Sequence, residues 1–303
     1  MNLLTIFLET LLPVMVLAVL GYVLQRTLRL DPRPLAQVVF YAFSPALVFS
    51  ILVDIPVALT ELARVAILVL LLMTVLAIIG WGMARAFGLS RTMTSAVILS
   101  VTFMNAGNLG LPVTHLAFGE TGLAWASVVY ATVNLATNSA GAWISSLGRT
   151  GPWRSLLGLA KVPAVYSIPL ALGLRSLEVS LPQPVAIPID LLAGAAIPSM
   201  LVLLGMQLGA NGRAIRPRVL AGTAAVRLIL SPALAWAVIW VLKLEPVAAR
   251  ATILEAAMPT AVLTSILASQ YEVEPEFVSG AILLTTLLSP LTLAPLLLIL
   301  QGL

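Results

Sequence analysis

The sequence predicts an all-α membrane protein with ten transmembrane helices, arranged as two inverted five-helix repeats whose fourth and ninth helices are broken and cross. Of the 303 residues, 60% are hydrophobic and only 9% are charged, whereas a soluble domain carries about 25% charged residues. Apolar runs of about 20 residues recur along the chain, and each is long enough to cross a bilayer core. Prolines also recur at matched places in the two halves.

Turn-forming segments such as "RLDPRP" and "GANGRAIRPR" separate the apolar runs. The first basic residue is Arg26, so we interpret the first run as a retained span and not as a cleaved signal peptide. No loop is long enough to hold a soluble domain, and the function is therefore expected to lie within the membrane. The predicted limits of the ten spans are 3–24, 35–53, 62–83, 92–118, 121–147, 157–176, 187–208, 218–242, 247–270 and 276–300.

The distribution of basic residues predicts the orientation of the chain. Eleven of the sixteen Lys and Arg residues lie in the loops after the first, third, fifth and seventh spans, and four lie in loops on the opposite side. Cytoplasmic loops carry the excess of Lys and Arg, so both termini are expected outside the cytoplasm. The expected location is the cell membrane, as a multi-pass protein of the bacterial inner membrane.

Two pairs of proline-containing spans indicate the internal repeat. The second span reads "SPALVFSIL" around Pro45, and the seventh reads "IPSMLVLLG" around Pro198. The fourth span contains Pro112 and the ninth contains Pro259, and the members of each pair are about 150 residues apart. Each half has an odd number of spans, so the halves insert with opposite orientation, as in many secondary transporters. Kinks or breaks are expected at all four prolines.

The stretch "FMNAGNLGLP" places amides, glycines and a proline inside the fourth span. Glycine and proline are expected to interrupt the helix, and broken backbone at membrane depth persists only where protein or water satisfies it. If both broken spans cross, helix N-termini direct N–H groups and partial positive charge at one site that suits a carboxylate. Simple kinking is the alternative, and the matched pair favours crossing. The substrate-binding candidates are Asn105, Asn108, Gly110, Pro112, Asn134, Pro259 and Thr260.

Two charged residues, Arg227 and Glu255, are expected deep in the eighth and ninth spans. Arg227 lies about 12 Å inside the span at 1.5 Å per residue, and Glu255 enters from the other face to a comparable depth. An unpaired Arg there costs roughly 2.5–3.5 kcal/mol, so an ion pair that braces the two spans is expected. The alternative is that either residue handles substrate charge or a coupling proton. His115 is expected to pack between helices.

Motifs in ordered succession resemble the auxin efflux carrier family, which includes the plant PIN-type carriers and bacterial carriers of malonate or malate. "VRLILSPALAW" matches the family at Arg227, and "LEAAMPTAVLTSILASQYEVEP" matches it at Pro259 but has Glu255 where the plant proteins have glutamine. "PVMVLAVLGYVLQ" and "FYAFSPALVF" fit its first two spans. "NAGNLGLP" carries the family's Asn, Gly and Pro at Asn105, Gly110 and Pro112.

This resemblance implies a ten-span inverted repeat, with residues 1–148 as the first five-helix repeat and residues 149–303 as the second. Helices 1, 2, 6 and 7 would form a scaffold, and helices 3–5 and 8–10 a moving transport unit. The implied activity is secondary transport of a small organic anion, such as a dicarboxylate or an auxin-like acid, by an elevator-type alternating-access mechanism. The long central loop of the plant proteins is reduced here to about residues 148–155.

Other function classes have less support in the residues. A sodium-coupled organic-anion symporter of the bile-acid type shares the architecture, but few acidic or hydroxyl ligands near the crossing favour it. A membrane sensor would carry a soluble output domain. With no cysteine and one histidine, neither an enzyme, a metal site nor a cofactor is expected, and no basic face fits nucleic acid. The expected partners are the anion and the bilayer, and the GxxxG of Gly205 and Gly209 leaves a homodimer open.

Overall fold

A computed structural model describes residues 3–55, 57–146, 160, 162–210, 216–242 and 244–302. Within these residues the secondary structure is helical, apart from turns and one isolated β-bridge. In the described part of the chain, six helices are apolar and long enough to cross a membrane, and the shortest of these have 23 residues. The all-α membrane class that the composition predicts is therefore confirmed.

Twelve helices of eight residues or more follow one another in the described part of the chain. They are α1 (Leu3–Leu28), α2 (Pro32–Asp54), α3 (Leu59–Ala86), α4 (Arg91–Thr102), α5 (Leu111–Ala136), α6 (Ala164–Ser176), α7 (Gln183–Ala210), α8 (Pro217–Ala225), α9 (Ser231–Leu242), α10 (Pro246–Ala256), α11 (Leu263–Gln270) and α12 (Pro275–Gln301). Widened π-helical turns occur at Phe7–Leu11, Val39–Phe43, Ala106–Gly110, Thr137–Gly141 and Val226–Leu230.

Four of these five π-helical turns end two residues before a proline, namely Pro13, Pro45, Pro112 and Pro232. Proline lacks an N–H group, and its ring collides with the carbonyl four residues earlier in a regular helix. A widened turn relieves that collision without ending the helix. At Pro45, where a kink or a break is predicted, the helix is accordingly distorted without being broken, and α7 runs through Pro198 as one helix.

Side-chain N-caps define the starts of α4 and α10, and one glycine kinks α5. The Ser90 hydroxyl accepts from the Met93 N–H at 3.2 Å at the start of α4, and the Glu245 carboxylate accepts from the Ala248 N–H at 2.9 Å at the start of α10. Inside α5, Gly119 has φ 65° and ψ −160°, a conformation essentially restricted to glycine. It lies between the predicted fourth and fifth spans, and the helix is kinked there.

Helices α1, α2, α6 and α7 pack on one another, and α3–α5 pack with α8–α12. The contact between α1 and α7 is especially close. A Cβ at Gly205 would lie 1.7 Å from the Ala18 carbonyl oxygen, and one at Gly21 would lie 1.9 Å from that of Val202. A Cβ at Gly209 would meet the Gln25 side chain at 2.5 Å. The GxxxG motif therefore packs within the chain, against α1.

The outward faces of the long helices are covered by large apolar side chains. On α3, Ile67 and Ile78 are 57% and 62% exposed, whereas Leu68 and Leu76 on the opposite face are fully buried. Leu191 on α7 is 71% exposed. A continuous apolar surface of this kind is unfavourable in water and suits the hydrocarbon of a bilayer.

Candidate functional site

The fourth and ninth predicted spans are both interrupted, and the two interruptions lie side by side. The Asn105 N–H donates to the Pro259 carbonyl at 2.8 Å, and the Ala261 N–H donates to the Phe103 carbonyl at 2.9 Å. These two bonds form the antiparallel bridge between Met104 and Thr260. Each broken segment thus supplies backbone partners for the other, which satisfies polar groups that neither lipid nor a helix could satisfy.

The interruption of the fourth span lies at 103–105, and not at Pro112 as the sequence predicts. Pro112 follows the π-helical turn Ala106–Gly110 and is the second residue of α5, where its missing N–H has little cost. Pro259, in contrast, lies within the interruption between α10 and α11. The break in the fourth span is held by its pairing with the ninth, and the proline only shapes the helix that follows.

Asn105 occupies the N-cap position of the helix that leaves the bridge. Asn at this position usually accepts a hydrogen bond from a first-turn N–H group, but here the side chain makes no capping bond. Its Nδ2 is buried without a hydrogen-bond partner, and the residue is only 5% exposed. The N–H groups of the first turn, which follow Asn105, have no intrahelical acceptor. Uncapped backbone donors and a free amide donor therefore lie together.

Thr260, which lies in the same bridge, has both its N–H and its hydroxyl hydrogen-bonded within the protein. Its N–H donates to the Thr285 hydroxyl at 3.1 Å, and its own hydroxyl donates to the Ser100 carbonyl at 2.8 Å. Thr260 is fully buried. These bonds join α4 and α12 to the interruption of the ninth span, so the side chain braces the bridge.

Two glycines of the π-helical turn allow other side chains to approach the backbone. A Cβ at Gly110 would lie 2.1 Å from Glu255 Oε2, and one at Gly107 would lie 2.7 Å from the Tyr130 ring. Neither glycine has a positive φ angle. The sequence predicts that glycine interrupts the helix through its torsional freedom, but at these positions the requirement is space.

Arg227 lies in the π-helical turn between α8 and α9, fully buried, and closes the C-terminal ends of two helices. Its Nη1 donates to the Val101 and Thr102 carbonyls of α4, at 2.7 and 3.2 Å. Its Nη2 donates to the Ser231 hydroxyl and, at 2.5 Å, to the Ala256 carbonyl at the end of α10. Terminal carbonyls lack intrahelical donors and carry partial negative charge, so the guanidinium is well matched to this position.

The ion pair that the sequence predicts between Arg227 and Glu255 does not form. Within the described residues, ion pairs shorter than 4.0 Å join Arg33 to Asp31 and Arg64 to Glu61, and His115 Nδ1 lies 3.8 Å from Glu120 Oε1. The prediction was wrong because it considered only side-chain charges. Where two helices end at the same place, their carbonyls can surround a guanidinium without a carboxylate.

Glu255 is fully buried near the end of α10 and has a single hydrogen-bond partner. The Thr114 hydroxyl of α5 donates to Oε1 at 3.0 Å, and Oε2 has no partner. The carboxyl group lies directly against Gly110. It therefore belongs to the same cluster as Asn105 and the bridge, although it is not paired with a cation.

The remaining predicted amides are Asn108, which lies near α7, and Asn134, which lies near α2. Asn108 Nδ2 donates to Gln207 Oε1 of α7 at 3.4 Å. Asn134 Nδ2 donates to the Tyr130 hydroxyl at 3.0 Å, and Asn134 Oδ1 accepts from Asn138 Nδ2 at 2.9 Å. Asn108 lies in the turn that leaves the bridge, and Tyr130, the partner of Asn134, lies against Gly107 of the same turn.

Several polar partners were not predicted from the sequence, among them Gln207, Tyr130 and Thr114. Gln207 could have been noticed as the amide in the otherwise apolar stretch "MLVLLGMQLGA", because a polar side chain inside a span is expensive without a role. Thr114 and Tyr130 carry no such signal, since which face of α5 meets α10 depends on the tertiary packing.

Two cavities differ sharply in chemistry. A small one of about 10 Å³, room for about one water molecule, lies where α2, α5 and the segment before α6 meet. Its lining residues are Phe40, Ser44, Pro45, Val48, Tyr130, Asn134, Val162 and Pro163. A larger cleft of about 610 Å³ between α12 and α9 with the π-helical turn before it is lined by apolar side chains and Thr292. The larger cleft offers no amide or charged group to an anion, so the polar cluster at the bridge is the better candidate site.

Comparison with known proteins agrees with this arrangement. A family model described as "Membrane transport protein" matches residues 6–143 and 153–297. An "Uncharacterized transporter" of Methanothermobacter thermautotrophicus is 30% identical over 292 residues, which cover 94% of this chain and 95% of that protein. The "Putative malonate transporter" of Rhizobium meliloti is 27% identical over 308 residues, with 96% and 95% coverage. The chain is a multi-pass membrane protein and belongs to the membrane transport protein family, that of the auxin efflux carriers.

Proposed function

We propose that this chain is a secondary transporter for small organic anions, with carboxylates, including dicarboxylates such as malonate, as the substrate class. The observation that carries the proposal is the uncapped helix start at Asn105, where a buried amide donor has no partner. Buried polar groups are almost always hydrogen-bonded. A carboxylate at this position would accept from the Asn105 amide and from first-turn N–H groups, and the helix dipole favours its charge.

Neutral donors suit a substrate that must also leave. Arg227 brings a positive charge close to the bridge, but four acceptors already engage its Nη atoms. Its positive charge would attract an anion, and only its Nε is left without a hydrogen-bond partner among the described residues. Transport requires binding that is favourable but not too strong. The Rhizobium meliloti relative named for malonate is consistent with a small carboxylate of this kind.

Movement of the site across the membrane would require one of the two groups of helices to slide past the other. We infer that the ten-span inverted repeat holds, with helices 1, 2, 6 and 7 as scaffold and the remaining spans as the transport unit. The bridge and Arg227 tie α4, α9 and α10 together, which supports their motion as one body. The bond from Asn108 to Gln207 joins the two groups weakly, at 3.4 Å, as a contact that must break during an elevator movement should.

A sodium-coupled symporter is the rival within transport. Two buried hydroxyls near the bridge, those of Thr102 and Thr286, have no hydrogen-bond partner and could contribute to a cation site. Replacement of sodium by choline separates the two possibilities, because a sodium-coupled carrier would lose uptake and the proposed carrier would not. The proposal places both termini outside the cytoplasm of a bacterial inner membrane, as the positions of the basic residues predict.

The substrate class can be tested by thermal stability of the purified protein. A ligand that binds the folded state raises its apparent stability. Malonate, malate and an auxin-like indole acid should raise the melting temperature in a concentration-dependent manner, whereas the matched amides of these acids should not. If no carboxylate shifts the melting temperature while an uncharged or cationic solute does, the proposed substrate class is wrong.

A further inference from the structure

The Glu255 carboxyl group has a position that neither stability nor substrate binding explains by itself. It is fully buried, accepts one hydrogen bond from Thr114, and leaves Oε2 without a partner. An ionised carboxylate in an apolar environment is costly unless it is paired and hydrogen-bonded. No cation of the described residues lies within 4.0 Å of it.

The titratable groups on the helices packed against α10 do not supply a partner. Arg227 donates to backbone carbonyls and Ser231. The other groups bond elsewhere, lie near the ends of the packed helices or, in the case of Arg250, lie five residues before Glu255 in α10, and no basic group of the described residues lies within 4.0 Å of the Glu255 carboxyl group. They are His115 with Glu120, and Tyr130 with Asn134, on α5; Glu61 with Arg64, and Arg85, on α3; Glu276 on α12; and Arg250 and Glu245 on α10 itself.

We propose that Glu255 is the proton-binding site of this transporter, and that it takes up one proton when the carboxylate substrate binds. The proposal rests on the proposed function. Oε2 lies against Gly110, the last residue of the turn whose first N–H groups would receive the anion. Because Gly110 ends the turn that begins after Asn105, an anion at the start of that turn and an ionised Glu255 would lie within about one helical turn of each other and would repel strongly. A proton from the aqueous phase would form an O–H bond on Oε2, and this O–H could then donate to the substrate carboxylate.

The two binding events favour each other, and this linkage is reciprocal. Protonated Glu255 strengthens anion binding, and a bound anion strengthens proton binding. Anion and proton would therefore cross the membrane together, and the proton gradient would drive the anion. Glutamine has the shape of the protonated side chain, so Glu255→Gln should bind the anion without taking up a proton.

Isothermal titration calorimetry with malonate tests this proposal directly. Titrations of the purified protein in two buffers of different ionisation enthalpy, at a pH where malonate is fully ionised, give the number of protons taken up per malonate. We expect about one proton for the unmodified chain, with affinity that falls up to about tenfold per pH unit above the midpoint of proton binding. Glu255→Gln should bind malonate with no proton uptake and a flat pH profile.

Glu276→Gln is the matched control, because it removes an exposed carboxylate at the start of α12, and it should behave like the unmodified chain. Malonate binding without proton uptake in the unmodified chain would overturn this proposal and leave the proposed function intact, as would proton uptake that persists in Glu255→Gln. If the unmodified chain binds no carboxylate at all, the proposed function fails first. The measurement on the unmodified chain decides the question even if Glu255→Gln folds poorly.

Discussion

At Arg227, a single guanidinium closes the carboxyl ends of α4 and α10. Burying an isolated charge is expensive, yet here three backbone carbonyls and one hydroxyl accept from it. The side chain joins the ends of α4 and α10, the two helices that lead into the bridge from opposite halves of the sequence. In this structure its hydrogen bonds therefore hold the broken region together.

Replacement of Arg227 by Gln should destabilise the protein strongly. Several buried carbonyls would lose their donors, at about 1–3 kcal/mol for each group left unpaired. Adding Glu255→Gln should not restore stability, because the carboxylate is not the partner. Thermal unfolding in detergent, followed by size-exclusion chromatography, measures this. Arg64→Gln, which breaks an exposed pair with Glu61, should change little. Recovery in the double variant would show that the direct ion pair exists after all.

Part of the candidate site can be predicted from individual residues of the sequence. Asn105 and Pro259 were identified because polar or helix-breaking residues inside an apolar span need a reason. The position of the first break could not be read in this way. Phe103 and Met104 are ordinary helix residues, and the chain leaves the helix there because Pro259 and Ala261 offer backbone partners. That information lies about 150 residues away in the sequence.

Among the elements, the contact of α1 with α7 depends on glycine. The Ala18 and Val202 carbonyls occupy the places where side chains of Gly205 and Gly21 would begin. Small residues permit such close approach between membrane helices. Sequence patterns identified the GxxxG motif, but not its partner, because the same motif serves packing within a chain and between chains.

Gly205→Ala should therefore destabilise the protein, since the added methyl group would lie 1.7 Å from backbone that cannot easily move. Gly194→Ala in the same helix has no atom within 4 Å of the new Cβ, and it should be neutral or slightly stabilising, by up to about 1 kcal/mol. Melting temperatures of the two variants are the comparison. Equal behaviour of both would mean that α1 and α7 are not in the described contact.

The π-helical turns show how the helices of this protein accommodate proline. At Pro45, where a kink or a break is predicted, and likewise before Pro13, Pro112 and Pro232, the helix widens for one turn and then continues. Local sequence rules describe the clash correctly. They do not say whether the chain relieves the clash by ending the helix or by shifting its hydrogen bonds, because the packing of neighbouring helices determines which of the two has the lower free energy.

For the whole molecule, the distribution of Lys and Arg predicts that the C-terminus lies outside the cytoplasm. Alkaline phosphatase fused after the last residue should then be active in an expressing bacterium, while green fluorescent protein at the same place should be dark. A fusion in the segment between α7 and α8 should give the opposite pair of results. Fluorescence at the C-terminus would contradict both the span count and the inverted repeat.

The central claim is that a carboxylate binds at the helix start of Asn105. Uptake of radiolabelled malonate into proteoliposomes, at matched protein levels, tests it most directly. Asn105→Ala should weaken apparent affinity by roughly ten- to a hundredfold, equivalent to about 1–3 kcal/mol for one polar contact. Asn105→Asp should be worse, since it places like charge beside the substrate. Gln270→Ala, which removes an exposed amide at the end of α11, should transport normally. Unchanged malonate uptake in both Asn105 variants would contradict the account.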